Sequence, residues 1–164
     1  MNQDILFKTN DFVFSYRVAG LLIKNNKVLL QRPISDAGYA IPGGHVSFGE
    51  TNEETLIREF REEIGVDIKV ENLKWVGEIF FPWGDKPCHQ INLFYKVTLT
   101  EDTQIPLNGD FYGIEKIENG SFKLEFLWVD LKEILNVDLY PTNAKELLLN
   151  NSKEIKHFIY HEEV

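Results

Sequence analysis

The stretch from Gly44 to Val66, GHVSFGETNEETLIREFREEIGV, decides the fold of this 164-residue chain. It contains six glutamates and two arginines. Thr51 and Glu54 fit a capping box, in which each side chain accepts a hydrogen bond from a backbone N–H that the helix leaves free. Gly65 is expected to stop the helix, because glycine readily adopts the left-handed conformation that follows a helical C-terminus. The pattern therefore predicts a helix between Thr51 and Gly65.

The acidic residues of this predicted helix crowd onto one face. If Glu59 is set to zero on a helical wheel, Glu63 lies at about 40° and Glu62 at about −60°. The neighbouring arc carries the apolar residues expected to pack against a sheet: Leu56, Ile57, Phe60 and Ile64. Like charges at this spacing repel by roughly 0.2–0.5 kcal/mol per pair. A divalent cation with oxygen ligands would offset that repulsion, whereas a solvated acidic face is the alternative.

The loop before the helix favours a bound ligand. Pro42, Gly43 and Gly44 can bring backbone close to a ligand, because glycine tolerates conformations closed to other residues. Backbone carbonyls are also ligands for hard cations. Glu50 lies just before the helix, where its carboxylate can brace either the loop or the acidic cluster. An ordinary strand-to-helix turn is the alternative.

These residues resemble the Nudix box, Gly-x5-Glu-x7-Arg-Glu-U-x-Glu-Glu-x-Gly-U, where U is a bulky apolar residue. All fixed positions are filled, by Gly44, Glu50, Arg58, Glu59, Phe60, Glu62, Glu63, Gly65 and Val66. The resemblance implies a Nudix-type fold of the α+β class, in which a mixed sheet lies between helices as an α/β/α sandwich. The box would form a central loop-helix-loop. With its flanking strands, the resemblance spans most of residues 12–150.

The resemblance also implies an activity and the residues that serve it. The family hydrolyses a pyrophosphate bond in nucleoside diphosphates linked to another moiety, with Mg²⁺ or Mn²⁺ as the cofactor. The implied metal ligands are the Gly43 carbonyl, Glu59, Glu62 and Glu63. Arg58 would hold the glutamates through ion pairs, while Gly44, Glu50 and Gly65 would shape and brace the motif.

The general base is expected among the box glutamates, as Glu59 or Glu62. In some family members the base instead lies downstream on a flap, and here Glu115, Glu118 and Glu125 are the candidates. Each of these three also fits an ordinary surface residue. The chemistry itself needs no covalent nucleophile, since a metal can activate water and a positioned carboxylate can accept its proton.

Substrate selection is expected outside the box. The candidates are Arg17, Arg32, Phe81, Trp83 and His89. Phe81 and Trp83, with Phe80, could stack on a base, and core packing is the alternative. The two arginines and the histidine could contact phosphate or ribose, or could serve structural roles. The moiety released with the phosphate is not identified by the sequence.

Composition restricts the partners and the location. The formal charge of −9 disfavours non-specific nucleic-acid binding, which needs a basic surface. No run of 18 apolar residues predicts a membrane-spanning helix, and the start of the chain has no signal-peptide pattern. The single cysteine, Cys88, excludes an internal disulfide. We therefore expect a cytoplasmic protein with a nucleotide-derived small-molecule substrate, and keep a homodimer as one option because homodimers are common in the family.

The rest of the chain predicts one domain over residues 1–164, with a core at about 12–150 and a helical extension at 151–164. Expected strands are 12–23, 27–31, 39–41, 66–70, 75–81, 91–99 and 122–129. Residues 82–87 and 101–120 are expected to be loops, with residues 110–118 forming a lid over the site. Helices are expected at 131–135, 143–150 and 152–160.

Two other functional classes stay open. A Nudix-fold domain that binds a nucleotide without cleaving it is one alternative, although the intact box argues against it. An acidic interaction domain that binds no metal is the other. Stabilisation of the fold by a divalent cation would separate the acidic interaction domain from both the hydrolase and the nucleotide-binding domain, because a bound ion stabilises the folded state by mass action.

Overall fold

A large mixed sheet organises the fold. The computed structural model describes residues 3–101, 105, 110–117 and 120–163. The strands within them are β1 (Leu6–Lys8), β2 (Val13–Lys24), β3 (Lys27–Pro33), β4 (Gly43–His45), β5 (Ile68–Trp83), β6 (Lys86–Leu99), β7 (Asp110–Ile117), β8 (Gly120–Asp130) and β9 (Lys156–His161). The helices are α1 (Asn52–Glu63), a 3-10 helix (Leu131–Asn136) and α2 (Asn143–Leu149).

The strand order β7-β8-β3-β2-β6-β5-β9 splits at its centre. Strands β2 and β3 pair only beside their connecting turn, at Ile23–Val28 and Lys24–Lys27. Beyond those pairs, β2 is hydrogen-bonded to β6, β1 and β4, while β3 is hydrogen-bonded to β8. The pairs β2–β6 and β5–β9 are parallel, and the others are antiparallel. A cleft therefore opens between the two groups of strands, lined by residues of both.

The two faces of the sheet carry different helices. Successive side chains of a strand point to opposite faces, so Val18 and Leu22 of β2 pack in the cluster that contains Leu56 and Phe60 of α1. The intervening positions of β2 pack instead in a second cluster with α2, whose members include Ala19, Leu21, Ala144 and Leu148. The expected α/β/α sandwich with a mixed sheet is confirmed.

Helix α1 forms as the sequence predicts. Thr51 is its N-cap, and both hydrogen bonds of the capping box are present. Leu56 and Phe60 are fully buried. Gly65 follows the helix with a φ of +78°, in the left-handed region that glycine favours.

The expected C-terminal helix is wrong, because residues 156–161 form β9 along the edge of β5. Phe158 is buried while the next residue, Ile159, is 54% exposed, which is the two-residue alternation of a strand. Six register pairs join β9 to β5. Pairing with β5, which is far away in the sequence, therefore decides the conformation of this short segment.

Three other expectations need correction. Residues 110–117 are strand β7, paired with β8, rather than loop. Residues 82–87 belong mostly to strands, since Pro82 pairs with Pro87 and Gly84 has the positive φ that a tight hairpin turn requires. Residues 39 and 40 form isolated bridges instead of a strand. No helix among the described residues is long and apolar enough to cross a membrane.

Candidate active site

Arg58 is the centre of a polar network on α1. Its Nε and Nη2 donate to the two oxygens of Glu50 at 2.9 and 3.0 Å, and Nη1 donates to Glu59 Oε1 at 2.9 Å. Nη2 also donates to Ser47 Oγ at 3.2 Å. Thr55 Oγ1 donates to Glu50 Oε2 at 2.7 Å. The hydrogen bonds from Arg58 lower the pKa of Glu50, and those same bonds raise the pKa of Arg58.

Glu59 and Glu63 form a buried carboxyl pair one helical turn apart. The side chain of Glu59 is 14% exposed, and Glu63 is 7% exposed. Burial raises the pKa of Glu59, although Arg58 and a hydrogen bond from Glu63 oppose that shift. Burial, followed by repulsion from Glu59 and Glu115, raises the pKa of Glu63 to about 9. At neutral pH the pair therefore holds a proton in its shared hydrogen bond.

Two glycines allow backbone to approach these carboxyl groups. A Cβ on Gly44 would lie 2.3–2.7 Å from the carboxylate atoms of Glu59, so only glycine leaves room for that side chain. A Cβ on Gly113 of β7 would lie 2.0 Å from the backbone oxygen of Glu63. Close packing at Gly113 brings β7, and with it Glu115, to the C-terminal end of α1.

The carbonyl of Gly43 is directed away from β2. Gly20 N–H donates to Pro42 C=O, and Val46 N–H donates to Tyr16 C=O. Gly43 pairs with Ala19 between these bonds, so it occupies a non-hydrogen-bonded position of the antiparallel ladder. Within the described residues β4 pairs with no strand other than β2. The Gly43 oxygen is therefore left without a ladder partner.

Glu62 has a different environment from the other two glutamates. Its side chain is 61% exposed and approaches Arg58 Nη1 at 3.4 Å. In the part of the chain that the structure describes, no three Asp, Glu, His or Cys side chains come close enough together to hold a metal ion. The structure thus brings together two of the three predicted carboxylate ligands and leaves Glu62 at the surface.

A cleft of about 1110 Å³ adjoins the carboxyl pair. Arg17 of β2 and Glu115 of β7 line it, and both act electrostatically on Glu63. His45, the β4 partner of Arg17, also lines the cleft and bonds Ser15 Oγ at 3.0 Å. Burial, followed by repulsion from Arg17 and Lys8, lowers the pKa of His45 to about 3. This histidine is therefore neutral at physiological pH.

The candidate substrate residues separate into two groups. Arg17, Phe81 and Trp83 line the cleft. Arg32 is held beside it by an ion pair with Glu125 at 2.9 Å and lies 4.6 Å from the ring centre of Tyr39.

His89 lies outside the cleft lining, because it points to the opposite face of β6 from Gln90. Its ring instead contacts Phe80 at 4.4 Å, so Phe80 also faces away from the cleft.

The three downstream base candidates also separate. Glu115 lines the cleft, and burial raises its pKa. Glu125 is engaged by Arg32 and by the hydroxyl of Tyr39, which donates at 3.3 Å. Glu118 lies outside the described residues. Residues 110–117 of the segment expected to be a lid form strand β7, paired with β8.

Three amide side chains in the cleft were not predicted from the sequence. Gln31, Gln90 and Asn92 line it and are 7%, 7% and 8% exposed. The available signal was the spacing of Gln90 and Asn92, which places two polar groups on one face of a mostly apolar strand. Gln31 likewise interrupts the apolar run of β3.

A family model for the NUDIX domain matches residues 15–149, which is most of the chain. The chain belongs to the Nudix domain family. The Arg58 network and the Glu59–Glu63 pair therefore belong to the Nudix box of this domain.

Curated relatives share parts of the chain. An ADP-ribose pyrophosphatase from Methanocaldococcus jannaschii is 38% identical over 82 residues, covering 48% of this chain and 47% of the relative. The chain thus spans about half the length of that relative. An 8-oxo-dGTP diphosphatase from Escherichia coli is 38% identical over 47 residues, covering 26% of this chain and 36% of the relative.

Solved structures share the fold over nearly the whole chain. The mutator MutT protein of Bacillus halodurans has a TM-score of 0.62 at 20% identity, covering 90% of this chain and 89% of that one. A Nudix hydrolase from Nitrosomonas europaea has a TM-score of 0.60 at 16% identity, covering 93% and 81%. At these identities the likeness establishes the fold alone.

Proposed function

We propose that the protein is a divalent-cation-dependent hydrolase of a pyrophosphate bond in a nucleotide-derived small molecule. The observation that carries the proposal is the buried Glu59–Glu63 pair, which is braced by Arg58 and acted on electrostatically by two residues of the cleft, Arg17 and Glu115. Such burial of two acids destabilises a fold unless a counterion or a proton compensates. Membership of the Nudix family and the activities for which the two relatives are named support the same assignment.

The donor set fits Mg²⁺ or Mn²⁺. Glu59, Glu63 and the unpaired carbonyl of Gly43 offer only oxygen atoms, which these cations prefer. A cation would take the place of the proton that the pair holds at neutral pH. Glu62 would join the set by rotating from the surface. When bound, the metal would polarise a phosphoryl oxygen and acidify a water molecule.

The chain's own residues would then orient the metal ligand and the substrate, and would accept the proton of the attacking water. Arg58 holds the Glu59 carboxylate against Gly44 and so fixes the direction of its free oxygen. Arg17 faces the cleft with a positive charge suited to a substrate phosphate. Glu115 is the base that we favour, since its raised pKa makes its carboxylate a better proton acceptor near neutral pH. The two box glutamates suit the role of base less well, because Glu59 accepts a hydrogen bond from Arg58 and Glu62 lies at the surface.

The test is hydrolysis of a substrate panel with Mg²⁺ or Mn²⁺. The panel contains nucleoside triphosphates, ADP-ribose, NADH, dinucleoside polyphosphates and nucleotide sugars, with phosphate release coupled to a phosphatase. We expect one compound to be cleaved far faster than the others. Glu59→Gln should lower its kcat by about 10³-fold, since several kcal/mol of transition-state stabilisation would be lost.

A matched variant separates this effect from general loss of acidic charge. Glu53 is an exposed glutamate in the first turn of the same helix, so Glu53→Gln should retain full activity. Equal activity in wild type and Glu59→Gln would refute the proposal. Metal and nucleotide binding without turnover of any compound would instead favour a nucleotide-sensing domain.

A further inference from the structure

We infer that the side-chain amides of Gln31 and Asn92 select the nucleobase of the substrate, by accepting hydrogen bonds from N–H donors on its edge. The inference rests on the proposed function in one respect, namely that the ligand is a nucleotide. It adds the part of the nucleotide that is recognised and the residues that recognise it.

Both amides have an unmet hydrogen-bonding oxygen. Gln31 Oε1 and Asn92 Oδ1 are buried and have no hydrogen-bonding partner among the described residues. The two residues are only 7% and 8% exposed. An unpaired buried amide costs about 1–3 kcal/mol, so two of them in one place call for an explanation. Gln90, two residues before Asn92 on β6, differs from both because its Oε1 accepts a hydrogen bond from Ser15 Oγ at 3.1 Å.

The two amides face one cleft from opposite sides. Gln31 lies on β3, which pairs with β8, whereas Asn92 lies on β6, which pairs with β2. These strands belong to the two groups that separate beyond the β2–β3 turn, and both residues line the cleft between them. Both amide residues therefore border the space that a ligand in the cleft would occupy.

The surroundings favour a flat, nitrogen-rich group. Phe81 and Trp83 line the same cleft, with ring centres 6.2 Å apart, and offer faces for stacking. Arg17 is the β2 register partner of Asn92, one strand spacing of about 4.8 Å away. A phosphate at Arg17 and a base at the amides would thus belong to one nucleotide. Two unmet acceptors favour a base edge with two adjacent N–H donors, as in guanine.

The test uses nucleoside monophosphates without divalent metal, so that binding is measured apart from hydrolysis. Calorimetry gives the affinities of GMP, IMP, AMP and ribose 5-phosphate. IMP differs from GMP only by the missing exocyclic amine. Trp83 quenching gives a second readout, because Trp75 and Trp128 are buried. We expect GMP to bind more tightly than IMP, AMP and ribose 5-phosphate by about 10-fold or more, the effect of one desolvated hydrogen bond.

Apolar replacements of similar shape supply the variants. Gln31→Met and Asn92→Leu should each weaken GMP binding about 10-fold and reduce the preference over IMP. They should also raise Tm by about 2–4 °C, because each removes an unpaired buried polar group. Asn72→Leu, at an exposed amide on β5 outside the cleft, is the matched control and should leave GMP affinity unchanged.

Several results would overturn the inference. Equal affinity for GMP and ribose 5-phosphate would place recognition on the sugar and phosphate. Unchanged GMP binding in both variants, or no GMP binding by wild type at millimolar concentration, would exclude base selection by these amides. A lowered Tm in both variants would assign them a structural role. Because no hydrolysis enters these measurements, a failure of the proposed hydrolase reaction leaves their outcome unaffected.

Discussion

The Arg58 network and the amide-lined cleft lie side by side but differ in whether their polar groups have hydrogen-bond partners. Around Arg58, guanidinium donors on three nitrogens contact Glu50, Glu59 and Ser47. In the cleft, the oxygens of Gln31 and Asn92 are buried without a described partner. The first region is satisfied before any ligand arrives, and the second is not.

The difference separates positioning from recognition. A network that satisfies its own hydrogen bonds holds its members in one geometry, which suits groups that must orient a metal or a proton. Unpaired buried groups destabilise the free protein and gain their partners from a ligand, which suits selection. We therefore expect substitutions in the network to cost stability, and substitutions in the cleft to cost affinity.

The largest expected effect on stability comes from Arg58→Ala. The variant would leave the carboxylates of Glu50 and Glu59, which are only 17% and 14% exposed, without their cation. Breaking a largely buried ion pair in this way costs about 3–5 kcal/mol. Urea unfolding at pH 7 measures the change, and activity should fall as well because Glu59 loses its orientation.

Arg61→Ala is the control for this variant on the same helix. Arg61 pairs with Asp67, but the two side chains are 63% and 53% exposed. An exposed pair contributes about 0–1 kcal/mol, so the variant should stay within that range of wild type. Equal destabilisation by Arg58→Ala and Arg61→Ala would remove the distinction between a self-satisfied network and ordinary surface pairs.

The next effect comes from Gly44→Ala. The new methyl group would lie 2.3–2.7 Å from the carboxylate of Glu59 and would have to displace it. We expect kcat to fall by about 10²-fold, as displacement of a catalytic group by about 1 Å does. Steady-state kinetics on the preferred substrate, together with the free energy of unfolding, measures the change.

Gly49→Ala separates displacement of Glu59 from general loop strain. Gly49 has a φ of +83° and would place its Cβ in open space. An alanine there costs about 1–2 kcal/mol of backbone strain but touches no site residue. Retained kcat in Gly49→Ala and lost kcat in Gly44→Ala would support displacement as the cause. Equal loss of kcat in both would contradict it.

The network was predictable from the sequence because its contacts are local. Arg58 and Glu50 are eight residues apart, and the capping box fixes the helix that carries Arg58. The cleft was not predictable, since Gln31 and Asn92 meet only after β2 has turned from β3 to β6. Strand β9 escaped prediction for the same reason, as its partner β5 lies far away in the sequence. Both the cleft and strand β9 depend on pairing between strands that are far apart in the sequence, which local sequence patterns do not encode.

The pH dependence of stability tests the carboxyl pair itself. The pKa of Glu63 is raised to about 9 from an ordinary value of 4.5. Between these values the folded state holds a proton that the unfolded state has released, so stability falls as pH rises. The slope from one such group is at most about 1.4 kcal/mol per pH unit. Urea unfolding of the metal-free protein between pH 7 and 9 measures it, because at lower pH the lowered pKa of His45 makes stability rise with pH.

Two variants and one addition sharpen this test. Glu63→Gln should flatten the slope between pH 7 and 9, because the amide needs no proton to be neutral. Glu53→Gln should keep the wild-type slope, since Glu53 is exposed. Mg²⁺ should also flatten it, with release of about one proton per ion bound at neutral pH, because the cation takes the proton's place between Glu59 and Glu63. Stability of the metal-free wild type that stays constant between pH 7 and 9 would mean that the two carboxylates are both ionised, and that the network around Arg58 already compensates their charge.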